Sequence, residues 1–187
     1  NSIIQAKNFT PANRTNIDLV VIHTMENQEK PNAARQVAEW FANKGAPRYP
    51  APQASAHYCI DHQECVQCVL EKDVAWHAPG ANHNGIGIEH AGFARQSSAD
   101  WADEYSVSML IISAKLVAEI CTRYRIPVMW LSEKDLIAKA RGITSHDNVS
   151  KAFKKSNHTD PGKFFPKDYY LDMVRSFQRT LYHHERC

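Results

Sequence analysis

The sequence predicts an α/β fold in which a mixed central β-sheet is flanked by helices. A continuous apolar and largely β-branched run over residues 17–22 is typical of a buried central strand. A second short run, over 85–90, alternates glycine with isoleucine and predicts another strand. Apolar side chains recur at helical spacing over 103–124, which predicts a long helix with one buried face. Strands mixed with helices in this way predict one sheet with helices on both faces.

Three shorter helices complete the predicted helical content, over residues 32–43, 132–140 and 167–182. Asn32 and Ser132 are start signals, because a short polar side chain can satisfy a free backbone N–H at the first turn. Gly45 and Gly142 are the corresponding stop signals. Between the first helix and the second half of the chain, residues 55–60 and 64–70 predict a hairpin around 61–63. A loop over 44–52, rich in proline and glycine, could overhang a cleft.

Length and charge narrow the classes of protein that fit. The 187 residues suit a single domain over 1–187 with a core from about 17 to 182, large enough to bury roughly 70% of its unfolded surface. A net charge of +2 is too small to indicate a nucleic acid as partner. No run approaches the roughly 20 apolar residues of a membrane span, so we expect no membrane insertion. The start has neither initiator Met nor apolar signal core, which favours a processed or artificial boundary.

The five cysteines do not form a regular framework, which argues against a disulfide-stapled secreted module. Cys65 and Cys68 have the CxxC spacing of redox and zinc motifs, but there is no second CxxC. On the predicted strand their side chains point to opposite faces, so we favour buried small apolar residues over a redox or zinc role. Cys121 lies on the buried face of the long helix.

Ten histidines are the unusual feature of the composition, and two of them combine with an aspartate. His23 ends the first strand run, and His146 and Asp160 follow far downstream. Two imidazoles and one carboxylate from separate elements are the usual ligands of a catalytic zinc ion, which keeps a fourth position open. The alternative is a core histidine at 23 and a helix-capping histidine at 146.

Six short motifs follow one another along nearly the whole chain, from about 17 to 182: Val21-Ile22-His23-Thr24, Ser55-Ala56-His57-Tyr58, Ala75-Trp76-His77-Ala78, Gly85-Ile86-Gly87-Ile88-Glu89, Ile143-Thr144-Ser145-His146 and Thr159-Asp160-Pro161-Gly162. Each is weak alone, but their order is specific. It resembles the zinc-dependent N-acetylmuramoyl-L-alanine amidases, which include phage lysozyme-type amidases and peptidoglycan recognition proteins. The resemblance implies the fold of that family.

The resemblance also implies residue roles. Zn²⁺ would be bound by His23, His146 and Asp160, and Glu89 would be the general base. On a strand, Glu89 shares its face with Gly85 and Gly87, which we expect to leave room for substrate. A carboxylate placed there can take a proton from water that zinc has acidified.

The sequence departs from the family pattern at His158, where many relatives carry a lysine that stabilises the oxyanion. An imidazole can donate one hydrogen bond, and its protonated form adds charge, so we expect a catalytic His158 whose effect depends on pH. The alternative is an ordinary surface residue. The catalytic tyrosine of some relatives is absent, since Ala56 stands in its place.

Four residues are candidate contacts to substrate by position in the motifs. Trp76 and His77 match a segment that lines the groove in the family. Asn82 is a candidate contact to glycan or peptide. His57 alternates with Tyr58 on its strand, and either of the two could face the cleft.

These features predict hydrolysis of the amide between N-acetylmuramic acid and L-alanine in peptidoglycan, whose glycan strand and stem peptide are the expected partners of a monomer. The alternatives are a non-catalytic peptidoglycan-binding module and a recycling amidase that acts on soluble muropeptides. The cysteines fit a phage endolysin made in the bacterial cytoplasm that acts on the wall. A secreted or periplasmic autolysin is the other possibility.

Overall fold

The computed structural model describes residues 2–44 and 52–184, with the side chains of 182–184 excepted. Its strands are β1 (Ser2–Ile3), β2 (Phe9–Thr10), β3 (Leu19–Thr24), β4 (Tyr58–Ile60), β5 (Cys65–Gln67), β6 (Val74–Ala75), β7 (Gly85–His90) and β8 (Gly142–Ser145). Its α-helices are α1 (Ala33–Phe41), α2 (Glu104–Tyr124), α3 (Glu133–Ile137), α4 (His146–Phe153) and α5 (Lys167–His184). A 3₁₀ turn over Asp100–Ala102 precedes α2.

Six of these strands form one mixed sheet in the order β1-β5-β4-β7-β3-β8. The central strand β3 is parallel to β7 on one side and to β8 on the other. β4 is parallel to β7 and antiparallel to β5, which makes the sheet mixed. β2 and β6 pair separately. The predicted mixed sheet with flanking helices is therefore confirmed.

The two faces of the sheet are covered differently. Val20 and Ile22 of β3 belong to a large apolar cluster that includes residues of α2 and α5. On the opposite face there are two smaller clusters, one with α1 and one with α3 and α4. Val21 belongs to the second of these, as the alternation of side chains along a strand requires. The polar residues of interest lie on this divided face.

Several predicted elements are confirmed with shifted bounds. The first strand run begins at Leu19 and extends to Thr24, so that His23 is its penultimate residue instead of its last. Asn32, Asp103 and Ser132 precede α1, α2 and α3 as their N-cap residues. The side chains of Asp103 and Ser132 accept a backbone N–H, as predicted for Ser132, whereas Asn32, at φ 62, makes no side-chain cap hydrogen bond. The helix predicted over 132–140 ends at Ile137, and Lys139 has a left-handed backbone (φ 59). The loop predicted over 44–52 and its stop signal Gly45 lie almost entirely outside the described residues.

The sequence prediction missed β8 and α4. Gly142 does not end a helix but begins β8, and a Cβ there would lie 2.8 Å from the carbonyl oxygen of Met129. The close approach comes from the neighbouring segment, in which Trp130 forms a bridge to Ile143. A four-residue strand followed at once by a helix has too few residues for either periodicity to be read from sequence.

The four cysteines in the described residues are buried, as predicted for Cys65, Cys68 and Cys121. Cys65 belongs to the cluster under α2 and Cys68 to the cluster under α1, so the two CxxC side chains do face opposite sides of the sheet. The sulfur of Cys68 lies instead 3.7 Å from that of Cys59. Cys121 is 1% exposed within the core. These four thiols are free.

One described helix, α2, is long and apolar enough by length and composition to cross a membrane. More than half of its apolar window, 56%, is buried inside the protein. This is weak evidence for a membrane span, because the buried core helix of a globular domain passes the same test.

Candidate metal centre

Three neighbouring strand ends bring the candidate metal ligands together. His23 lies on β3 and is the register partner of Glu89 on β7. His146 is the first residue of α4 and directly follows β8, the other neighbour of β3. Because these three strands are parallel, their carboxyl ends meet at one edge of the sheet, where ligand sites commonly form. Asp160 comes from the loop that follows α4. The backbone carbonyl of Asp160 accepts a hydrogen bond from the N–H of Asp147, at 3.0 Å.

The three predicted ligands converge on one point. Nδ1 of His23 lies 3.0 Å from Oδ2 of Asp160, and Nδ1 of His146 lies 3.3 Å from Oδ1. One donor atom from each residue lies within 4.8 Å of the others, and all three residues are buried. Two nitrogen donors and one oxygen donor from separate segments form a set that fits a tetrahedral ion with an open position. The residues present could therefore hold a metal ion.

Electrostatics keep His23 and Asp160 in the forms that bind cations. Burial lowers the pKa of the His23 imidazole, although Asp160 opposes that shift, so the ring favours its neutral form. For Asp160, burial acts to raise the pKa of the carboxyl. Hydrogen bonds from His146 and His23 outweigh it and hold that pKa well below its usual range. A neutral imidazole and an ionised carboxylate are the states that ligate metals.

Glu89 contributes a second carboxylate to the same cleft, as its place on β7 predicts. The cleft has a volume of about 330 Å³ and is lined by His23, Glu89, His146 and Asp160 among others; we call it the His23 cleft. Oε2 of Glu89 is buried and has no hydrogen-bond partner in the described part of the chain. Burial first, and the charge of Asp160 second, raise the pKa of the Glu89 carboxyl well above its ordinary value. Such a carboxyl is a stronger proton acceptor than an exposed one.

His158 lies at the rim of the His23 cleft. Its imidazole stacks on that of His146, with ring centroids 4.2 Å apart and planes 12° from parallel. Nδ1 lies 3.5 Å from Oδ1 of Asp160, and the side chain is 59% exposed. The ring can therefore reach both solvent and the metal ligands.

The four predicted substrate contacts divide into two pairs. Trp76 and His77 line the His23 cleft. His57 and Asn82 do not line it, so the structure gives them a supporting position instead of the predicted contact. His57 has no exposed surface, and its Nδ1 accepts the backbone N–H of Gly87. Oδ1 of Asn82 accepts the backbone N–H groups of His77 and Ala78, at 3.0 and 2.6 Å.

The role predicted for the two glycines of β7 is also corrected. A Cβ added at Gly87 would lie 2.5 Å from Cγ of His77, and one at Gly85 would lie 3.5 Å from Cε1. The space beside Glu89 is thus filled by the His77 imidazole, not kept open for substrate.

Sequence reasoning missed Arg14, whose guanidinium contacts the residues around His77 and β7. Its Nη1 donates to the carbonyls of Asn82 and Gly85, at 3.0 and 2.9 Å, and its Nη2 lies 2.6 Å from Nε2 of His57. Burial lowers the pKa of the Arg14 guanidinium to about 10. Arg14 precedes β3 outside every motif, and the sequence carries no signal of this role.

A larger cavity, of about 970 Å³, lies beside the His23 cleft. It is lined by Ser145, Asp147, Thr159 and Pro161, the immediate neighbours of two metal-ligand residues, but by none of the ligands themselves. We place the site in the smaller cleft because the converging donors and the unpaired carboxylate lie there.

Comparison with known families agrees with this geometry. Residues 13–163 match the family model described as N-acetylmuramoyl-L-alanine amidase. The chain belongs to this family. The matched region includes four residues that line the His23 cleft: His23, Glu89, His146 and Asp160.

Individual amidases and solved structures extend the comparison. The chain is 38% identical over 116 residues to N-acetylmuramoyl-L-alanine amidase A of Achromobacter lyticus, a match that covers 61% of this chain and 55% of that protein. The fold is similar to that of the Staphylococcus aureus hydrolase AmiA in complex with its ligand (TM-score 0.69, 14% identity, 95% of this chain and 82% of that one). It is also similar to a selenomethionine derivative of AmpD (TM-score 0.63, 20% identity, 94% and 93%). At these identities the two structures establish the fold alone.

Burial of His57 predicts a pH-dependent stability. Burial first, and the Arg14 guanidinium second, lower the pKa of His57 from 6.5 to about 3. As pH falls below 6.5 the unfolded chain therefore binds a proton that the folded protein does not bind, and the free energy of unfolding falls until about pH 3. We expect wild type to lose about 1 kcal/mol more than His57→Gln between pH 6 and pH 5.

Urea titration of the metal-free proteins at both pH values measures this difference. His83→Gln, which replaces an exposed imidazole, is the matched control. Equal losses in wild type and His57→Gln would contradict a buried neutral His57.

Proposed function

We propose that this protein hydrolyses the amide bond between N-acetylmuramic acid and L-alanine in bacterial peptidoglycan, with a zinc ion at His23, His146 and Asp160. The observation that carries the proposal is the buried triad with a second, unpartnered carboxylate, Glu89, on the adjacent strand. Membership of the amidase family supports the reaction and the substrate. The relative from Achromobacter lyticus supports it too, although the match covers 55% of that protein.

Zinc is the ion that the donor set favours. Two imidazole nitrogens and one carboxylate oxygen suit zinc, whereas calcium and magnesium prefer oxygen donors throughout. When bound, zinc would polarise the scissile carbonyl and acidify a water molecule. His23, His146 and Asp160 would hold it.

Glu89 is the general base of the proposed mechanism. Its Oε2 is buried without a hydrogen-bond partner among the described residues, and Glu89 lines the same cleft as the ligands. Its raised pKa suits a group that takes a proton from the attacking water and later passes it to the leaving amine of L-alanine. A low-pKa carboxylate such as Asp160 would be a much weaker proton acceptor.

His158 is the proposed donor to the developing oxyanion. Stacking on His146 holds its ring at the rim of the cleft, and its exposure allows it to carry a proton. Trp76 and His77 also line the cleft, in which we place the substrate.

We further propose that the natural substrate is the intact cell wall and that the protein is a monomeric endolysin. The free cysteines in the described chain support synthesis in a reducing compartment. A recycling amidase would instead favour soluble muropeptides, and a secreted autolysin would act on the wall from outside.

Zinc removal tests the reaction and the metal together. We expect the protein to release peptides with new N-terminal L-alanine from purified wall, with fragment masses that place the cut at the lactoyl amide. Dialysis against a chelator should abolish release, and stoichiometric Zn²⁺ should restore it, because the triad supplies the ligands. Fragments cut within the stem peptide, or full activity without metal, would contradict the proposal. Comparable rates on soluble muropeptides would contradict the endolysin role.

Glu89→Gln tests the general base. The amide keeps the size of the carboxylate but cannot take a proton, so we expect kcat to fall about 10²–10⁴-fold with zinc content unchanged. Glu104→Gln, at an exposed carboxylate on α2, is the matched control. Near-wild-type kcat in Glu89→Gln would exclude this assignment.

His158 is tested by two substitutions. Removal of the donor in His158→Ala should lower kcat by about 10²-fold, the lower end for an oxyanion donor, because the ring is exposed. His158→Lys should retain activity. Near-wild-type kcat in His158→Ala would contradict the donor role.

A further inference from the structure

The two ring nitrogens of His23 have different partners. Nδ1 faces the Asp160 carboxylate, at 3.0 Å from Oδ2. Nε2 faces Nδ1 of a third imidazole, His77, also at 3.0 Å. His23 is 2% exposed, and Nε2 has no other hydrogen-bond partner among the described residues. The His23–His77 contact is therefore the one polar constraint on that side of the ring.

The arrangement determines where the protons must lie. If Nδ1 of His23 offers its lone pair to a metal ion, the ring proton is on Nε2, which then donates to Nδ1 of His77. The proton of His77 must consequently be on its own Nε2. A histidine that ligates a metal usually donates its second N–H to a carboxylate, a backbone carbonyl or water, and this bond fixes its tautomer and ring orientation. Here an imidazole takes the place of those acceptors.

His77 is itself held in place on several sides. Oδ1 of Asn82 accepts the backbone N–H groups of His77 and Ala78, which fixes the start of the loop. The ring lies against the bare backbone of Gly87, where a Cβ would approach Cγ to 2.5 Å. The ring of His57 meets it edge-on, with centroids 5.7 Å apart. Free rotation of the His77 ring is therefore blocked.

We propose that His77 is a positioning residue for the metal ligand His23, which it orients by accepting the Nε2–H of that ring. This inference rests on the proposed metal site at His23, His146 and Asp160. It gives Gly87 a reason, because a Cβ there would lie 2.5 Å from Cγ of His77, whereas a Cβ at Gly85 would meet the carbonyl oxygen of Ala81 at 2.7 Å. It also gives Asn82 and His57 a function without contact to substrate.

Geometry excludes His77 as a fourth ligand of the same ion. The two nitrogens of an imidazole point to different sides of the ring, and those of His23 are taken by Asp160 and His77 respectively. The ring planes of His23 and His77 are 88° apart, with centroids at 5.2 Å. The His23 ring thus separates His77 from the point where the three donors converge.

Zinc affinity tests the proposal without any use of activity. His77→Leu fills the same space but has no acceptor, and we expect its zinc affinity to fall 10–100-fold, the usual effect of losing such a partner. His77→Asn places an amide oxygen near the position of Nδ1, so its affinity should fall less than about tenfold. Competition with a chromophoric chelator measures both, and His62→Asn, a half-buried imidazole on the β4–β5 turn, is the matched control.

The outcomes separate the possible failures. If wild type binds no zinc, the proposed function fails. If wild type binds zinc and His77→Leu binds it equally well, the positioning role is overturned, whatever the melting temperature of the variant. Equal losses in the Leu and Asn variants would overturn the role of the acceptor. If His77→Leu does not fold, Gly87→Ala decides, because its Cβ displaces the His77 ring while every donor and acceptor is kept; unchanged affinity would overturn the proposal.

Discussion

The structure depends on the burial of the Asp160 carboxylate between two imidazoles. A buried carboxylate is costly unless it is paired and hydrogen-bonded. Among the described residues, histidines are its charge partners, and no lysine or arginine pairs with it. His23 and His146 are themselves buried, and burial lowers the pKa of the His23 imidazole. Negative charge at this point is thus left for a cation to balance.

Glu89 strengthens the same constraint. It places a second buried carboxylate near the first, and each raises the cost of ionising the other. The two groups respond differently, because Asp160 has hydrogen-bond donors and Oε2 of Glu89 has none. One carboxylate therefore stays ionised as a ligand, while the other is suited to proton transfer. Environments that separate the pKa values of two carboxylates in this way commonly give the two groups different acid–base roles.

The sheet delivers these groups because its three central strands are parallel. The register pairs His23 with Glu89, and β8 ends beside them at Ser145, so that His146 follows at the same edge. The apolar face of the sheet that carries these groups is divided between the cluster under α1 and the cluster under α3 and α4. Val37, Trp40 and Phe41 of α1 line the cleft together with His23 and Glu89.

Much of this could be predicted from sequence, and the limits have physical causes. The strand of His23, the strand of Glu89 and the helix α2 were predictable because each has a periodic or continuous apolar pattern. The strand β8 was not, since four residues between a bridge and a helix carry no period. Arg14 and the packing of His77 on Gly87 were not predictable either, because they depend on tertiary contacts between segments far apart in sequence. The sequence located the glycines of β7, but it could not predict that the His77 ring packs against Gly87.

The same electrostatics explain why the residue that faces Nε2 of His23 is a histidine, His77. A carboxylate in that position would orient His23 equally well, but it would put a third negative charge beside Asp160 and Glu89. That charge would raise the pKa of the Glu89 carboxyl still further above its usual value. His77 accepts the hydrogen bond while it stays neutral, because burial lowers the pKa of its imidazole well below the usual value. The buried histidine thus orients the ligand and leaves the charge of the centre matched to a divalent ion.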